Sequence, residues 1–384
     1  MFVSKIVLKN WRNFHALETP VSERLFIIGP NAAGKSNFLD VFRFLRDIVK
    51  EGGGLQYAIN SRGGLSKIRC LAARKDPKVE IEVELSDDAD NPAWRYAIAI
   101  KQEVRGRRQP YLVSEQVTNL KTNQTVLQRP DKDDVKDGER LTQTHLEQIS
   151  LNEPFREIKA FFTSVLYLHL VPQLLRYPSA FMGPGIADDP FGKSLLERIA
   201  KTSEKTRSSR LRKIEEALRL AVPQLSQLTF SRDEIGAPHL CSVYAHWRAQ
   251  GAKQLEDQYS DGTLRLIGFL WSLLEGDSLL LLEEPELSLN SSIVQRLAPF
   301  INRFQRLRKR QVMVSTHSFD LLNDPGIGGE EVLLLSPGRE GTKGDLVSSN
   351  EKFAKLLLSG LTVGDVVLAQ TAPDDIAKLD SIVP

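Results

Sequence analysis

Cysteine is scarce in this sequence: there are two among 384 residues, Cys70 and Cys241. They have no paired spacing, which excludes a disulfide framework and a cysteine-based zinc site. Long apolar runs are missing as well. The longest, such as Leu279 to Leu282, fall far short of a bilayer span. The opening MFVSKIVLKNWRNF alternates apolar and polar residues and lacks the continuous apolar core of a secretory leader. The expectation is a cytoplasmic location and no membrane partner. Neither sign of charge dominates. Lys and Arg total 51 against 49 Asp and Glu, a net charge of +2, so any nucleic-acid contact rests on local patches. No internal repeat, low-complexity tract or sustained heptad pattern occurs, which leaves no room for a long coiled-coil arm.

What is present is a series of α/β signals. Phe2 to Leu8 reads as a strand, and Leu25 to Ile28 as a short apolar one ending at a glycine. Across Asn37 to Val49, the residues Phe38, Val41, Phe42, Leu45 and Ile48 recur at helical spacing. Val79 to Leu85 and Trp94 to Ile100 alternate like antiparallel strands, and Arg129 to Arg140 reads as an exposed polar loop. Helices are predicted over Ser194 to Ala200 and over Ser208 to Val222, where Pro223 stops the second. A helix over Thr263 to Glu275 leads into the apolar strand Leu279 to Leu282. A further helix (Ser291 to Gln305) and strand (Gln311 to Val314) follow.

Four short motifs carry the chemistry. GPNAAGKS fits G-x-x-x-x-G-K-[ST] between a strand and a helix. Gly29, Pro30, Asn31, Ala32, Ala33 and Gly34 let backbone N–H groups turn toward phosphate oxygens, and the helix through Asn37 aims its positive end at the same charge. Lys35 is placed to reach the β- and γ-phosphates of ATP, and the Ser36 hydroxyl to bind Mg2+. LLLLEEPE is a buried strand ending in acids: Glu283 is placed to hold Mg2+, and Glu284 to polarise an attacking water. In STH, His317 closes another apolar strand and is placed to meet a γ-phosphate or that water. SDGT, with Ser260 and Gly262, opens a helix and makes a second anion site. One chain has one γ-phosphate to hold but two such helix starts. A head-to-tail homodimer, with each SDGT facing the twin's nucleotide, resolves the surplus.

The order of these motifs resembles the ABC-type ATPase heads of the RecF, SMC and OLD proteins. MFVSKIVLKNWRNF…LFIIGPNAAGKSNFLDVFRFL resembles their N-terminal signature. SDGT, LLLLEEPELSLN and VMVSTHS resemble their signature motif, Walker B with D-loop, and switch histidine. More narrowly, the chain is similar to compact bacterial AAA family ATPases. The specific likeness covers residues 1–60 and 255–325. It implies an α/β P-loop NTPase with a two-lobe head: mixed central sheet, antiparallel β subdomain and helical insertion. Its expected divisions are 1–125 with Walker A, 126–255 as the helical, variable insertion, and 256–384 with the remaining motifs. The resemblance implies that Lys35 and Ser36 meet the phosphates and Mg2+, that Glu284 is the catalytic carboxylate, and that His317 is the switch residue. Ser260 becomes the contact to the partner's γ-phosphate, Arg12 and Asn13 lie near the nucleotide, and Gln173 touches Mg2+. Glu283 departs from the family pattern, which usually has Asp there.

Three basic clusters are candidates for a phosphate backbone: Arg105, Arg107 and Arg108; Lys205, Arg207, Arg210, Arg212 and Lys213; and Arg303, Arg306, Arg308, Lys309 and Arg310. Related heads bind DNA, so the leading expectation is an ATP-gated dimer in DNA repair, recombination or defence, with a separate nuclease or other accessory subunit. The alternatives are a slow nucleotide switch, suggested by Glu283, and a transporter's ATPase subunit, opposed by SDGT in place of the usual LSGGQ.

Overall fold

The computed structural model describes residues 1–74, 76–88, 91–103, 106, 108–177, 191–245, 251–368 and 371. Its strands are β1 (Phe2–Trp11), β2 (Phe14–Pro20), β3 (Arg24–Ile28), β4 (Val79–Ser86), β5 (Pro92–Gln102), β6 (Pro110–Asn119), β7 (Gln124–Arg129), β8 (Leu166–Leu168), β9 (Leu225–Arg232), β10 (Pro238–Tyr244), β11 (Ala252–Leu255), β12 (Leu280–Glu283), β13 (Val312–Ser315), β14 (Val332–Ser336) and β15 (Lys343–Leu346). The α-helices are α1 (Lys35–Val49), α2 (Leu55–Asn60), α3 (Leu65–Ile68), α4 (Lys132–Lys136), α5 (Arg156–Thr163), α6 (Pro172–Arg176), α7 (Leu195–Lys201), α8 (Glu204–Ala221), α9 (Asp261–Leu274), α10 (Ser291–Arg308), α11 (Phe319–Leu322), α12 (Glu351–Leu358) and α13 (Val363–Val367).

A six-stranded sheet of order β15-β14-β3-β13-β12-β8 carries the motifs. All of its neighbours pair in parallel except β14 and β15. A parallel sheet is covered on both faces, so its strands read as unbroken apolar runs rather than alternations. Successive side chains point to opposite cores. Leu25, Ile27, Leu281 and Met313 pack with Phe38 and Phe42 of α1, while Phe26, Leu280, Leu282 and Val314 pack with Ile267, Leu270 and Ile301 of α9 and α10.

The antiparallel sheet β2-β1-β4-β5-β6-β7 lays Val79, Ile81, Val83 and Leu85 on the α1 side of the core. A three-stranded sheet, β11-β10-β9, stands apart from both. Thus the α/β head with an antiparallel subdomain is present. The stretch 126–255 supplies strands as well as helices, however. It holds β7, the edge strand β8 and the small sheet.

Arg129 to Arg140 is not an open loop. Asp131 caps α4 by accepting from the Asp133 and Asp134 amides. Arg129 is fully buried and gives two bonds to Asp134 (2.9 and 2.7 Å) and one to Glu115 (3.1 Å). Composition reads this segment as solvated, and most of it is exposed; Arg129 and Asp134 are buried, because an arginine whose donors are all matched by carboxylates and carbonyls can be enclosed. Several helix starts also move outward: α1 begins at Lys35, α8 at Glu204 and α9 at Asp261.

Candidate functional site

The loop between β3 and α1 folds back on itself. Lys35 Nζ lies 3.2 Å from the carbonyl oxygens of both Gly29 and Pro30. Burial lowers the Lys35 pKa, and Glu284, Glu283 and Glu286 oppose that shift. Gly34 sits at φ 100°, and an added Cβ would stand 2.1 Å from Asn13 Nδ2, so glycine is required twice over. Asn13 braces the loop from behind. It donates to Ala33 O at 2.6 Å and to Thr342 Oγ1 at 2.7 Å, and accepts from Asn37 Nδ2 at 2.8 Å. Asn31, Ala32 and Ser36 remain exposed at the mouth.

Strands β12 and β13 end beside this loop, with Glu283 opposite Ser315. The Ser36 hydroxyl donates to Glu283 Oε1, and the Tyr167 hydroxyl donates to Glu283 Oε2. Glu284 follows at φ 45°, a left-handed conformation that costs a non-glycine residue about 1 kcal/mol or more. Its amide bond to Ser315 O, 2.9 Å, helps to hold it there. The carboxylate lies 3.5 Å from His317 Nε2. Burial, then the charge on Lys35, pushes the His317 pKa down against the pull of Glu284. The sheet therefore gathers Lys35, Ser36, Glu283, Glu284 and His317 at one edge. Hydroxyl and carboxylate oxygens side by side form the hard donor set that suits Mg2+.

Two expected members lie elsewhere. Arg12 does not reach the loop. Its guanidinium bonds Asp40 at 3.0 Å and Lys67 O at 3.3 Å on the flank of α1. Gln173 does not reach Ser36 or Glu283 either: its amide donates to Asp261 Oδ2 at 2.9 Å, beside the Arg176–Asp261 ion pair at 2.6 Å. The parallel pairing of β8 with β12 instead brings Tyr167, and His169 (Nδ1 3.3 Å from Glu283 O), to the acid. Sequence reasoning missed both, because a tyrosine and a histidine around a three-residue strand carry no motif. It also passed over Glu286, the third acid of LLLLEEPE. Glu286 accepts from Thr316 Oγ1 at 2.5 Å and from the His317 amide at 3.3 Å, and so sets the histidine turn.

Ser260 caps α9, accepting from the Thr263 amide at 3.1 Å, and is exposed. Gly262 leaves space for Ser288 O, which a Cβ would approach to 2.6 Å. Among the described residues, the hydrogen bonds of Ser260 run to Thr263 and Leu264, none to the phosphate loop.

The basic clusters divide. Arg105 and Arg107 lie outside the described residues. Arg207 stacks on Phe230 (4.2 Å to the ring centroid) and Arg210 on Trp271 (5.2 Å), while Lys205, Arg212 and Lys213 are exposed. Arg310 is buried against the Ser278 and Ser272 carbonyls, where burial pushes its pKa down to about 10. Arg308 reaches Asp277 at 3.2 Å. Arg303, Arg306 and Lys309 are exposed.

A family model described as "AAA domain, putative AbiEii toxin, Type IV TA system" matches residues 25–323. The fold is similar to that of a crystal structure of the SmcHead bound to the C-winged helix domain of ScpA, at a TM-score of 0.53 and 14% identity, over 90% of this chain and 98% of that one. It is also similar to an Smc head domain with an extended coiled coil, bound to the C-terminal domain of ScpA and derived from Pyrococcus furiosus. There the TM-score is 0.51 and the identity 15%, over 93% of this chain and 99% of that one. No curated protein matches the chain.

Proposed function

The chain belongs to the AAA-domain family with the AbiEii-type description and has the P-loop ATPase head fold, and from that premise we propose that it hydrolyses ATP as a head-to-tail homodimer acting on DNA. The observation that carries this reading is the convergence of Lys35, Ser36, Glu283, Glu284 and His317 at the ends of β3, β12 and β13. Lys35 holds the phosphates. Ser36 and Glu283 are the residues that would hold Mg2+, which supplies charge neutralisation on the triphosphate. Glu284 orients the attacking water and takes its proton. His317, 3.5 Å from Glu284 and with its pKa lowered by burial and then by Lys35, donates or accepts at the γ-phosphate side.

The dimer reading is supported by Ser260, an exposed cap on a helix start that bonds nothing in its own phosphate loop among the described residues. The DNA reading is supported by the exposed cations Arg212, Lys213, Arg303, Arg306 and Lys309. A separate nuclease or other accessory subunit completes the proposal. Size-exclusion chromatography with ATP tests the central claim. Glu284→Gln is expected to accumulate a nucleotide-bound dimer that wild type forms only transiently; a variant that stays monomeric in saturating ATP refutes the sandwich. DNA affinity that does not fall steeply with added salt removes the backbone-binding part.

A slow nucleotide switch is the second reading, favoured by Glu283 where an aspartate is usual. Single-turnover hydrolysis, compared with Glu284→Gln, separates the two.

A further inference from the structure

Glu283 holds its two oxygens apart: Oε1 takes the Ser36 hydroxyl, and Oε2 takes the Tyr167 hydroxyl. The second bond follows from sheet geometry. Tyr167 on β8 stands opposite Leu281 on β12, and Glu283, two residues further along, points to the same face. Tyr167 is buried, and the Arg43 guanidinium covers its ring at 4.2 Å from the centroid. Arg43 is steadied in turn by Asp40 at 3.8 Å, which also binds Arg12 and Arg62.

We propose that Tyr167 is a positioning residue that adapts this site to a glutamate, fixing Glu283 Oε2 so that Oε1 is presented beside Ser36 for a divalent cation. The inference rests on the ATP-binding reading above. Glutamate has one more rotatable bond than aspartate and about 1.5 Å more reach, and without a second anchor that freedom opposes metal binding. A hydrogen-bond partner behind a metal-ligating carboxylate removes it. An aspartate would withdraw both oxygens and release at least one of the two hydroxyls.

The test is the Mg2+ dependence of binding of a fluorescent ATP analogue, measured at equilibrium on the full chain. Tyr167→Phe, which keeps the ring under Arg43, is expected to raise the Mg2+ midpoint by about tenfold while leaving metal-free nucleotide binding unchanged. In a Glu283→Asp background the same change is expected to shift the midpoint by less than about twofold, since the shorter acid no longer meets the phenol. Arg43→Met is the second variant, chosen in case Tyr167→Phe folds poorly by its thermal midpoint. It should shift the Mg2+ midpoint in the same direction by a smaller factor and be silent beside Asp. An unchanged midpoint with Glu283 present, or an equal shift in both backgrounds, overturns the proposal. Nucleotide binding that survives Lys35→Ala overturns the ATP reading beneath it, which is a separate and recognisable outcome.

Discussion

Ser36 and Glu283, 247 positions apart in the chain, share a hydrogen bond. The hydroxyl belongs to the first turn of α1 and the carboxylate to the last residue of β12. They meet because β3 and β12 both flank β13 in a parallel sheet, which delivers the ends of all three strands to one edge. Loss of either group therefore acts on one site rather than on two.

Lys35 is held over the loop by two carbonyls, a pose that a triphosphate would replace with stronger charge-assisted bonds. Lys35→Ala is expected to weaken ATP binding by about 100-fold or more, measured by titration calorimetry. Affinity retained within tenfold would falsify the assignment of this loop.

Gly34→Ala combines a clash with Asn13 and an unfavourable φ of 100°. We expect a loss of about 2–4 kcal/mol of stability in denaturant melts. Adding Asn13→Ala removes the clash but not the backbone cost, so the double variant should recover only part of the loss. Full recovery would show that the φ requirement is unimportant.

The cap that Ser260 makes can be separated by mutation from the dimer contact proposed for it. Ser260→Ala removes the cap and should cost about 1 kcal/mol of stability. Ser260→Arg, at the same exposed helix start, should leave ATP affinity of the isolated chain within about twofold but prevent the Glu284→Gln variant from dimerising, because it sets bulk and charge where the proposed dimer would seal the twin's nucleotide. A stable dimer of that double variant, seen by light scattering, would place Ser260 outside the interface.

His145 ties stability to acid. Burial, then the charge on Arg129, pushes its pKa down to about 4, and its buried Nε2 has no hydrogen-bond partner among the described residues. Below pH 6.5 the unfolded chain takes up a proton that the folded chain refuses. Stability should therefore fall as pH drops from about 6.5 to 4, by on the order of 2–3 kcal/mol from this residue. Melting midpoints of wild type and His145→Gln compared across that range isolate the contribution. Parallel curves would remove it.

Local chemistry made much of the molecule legible. Four consecutive apolar residues before Glu283, the glycines around Lys35 and the apolar spacing from Phe38 to Ile48 each state their structure within a few residues, because strand burial, loop curvature and helix periodicity are short-range properties. The same reasoning read Arg129 to Arg140 as exposed, which holds for most of the segment, but it did not foresee that Arg129 itself is buried in ion pairs with Glu115 and Asp134.

The sequence by itself determined the parts of the phosphate-binding edge, since a glycine loop, two acids and a histidine each need only their own neighbours to declare themselves. Only the tertiary structure decided who stands beside them. Gln173 turned to Asp261, Arg12 turned to Asp40, and Tyr167 arrived at Glu283. Strand order and register bring Tyr167 to Glu283 across 116 positions of chain. No local pattern encodes which strand will lie next to which.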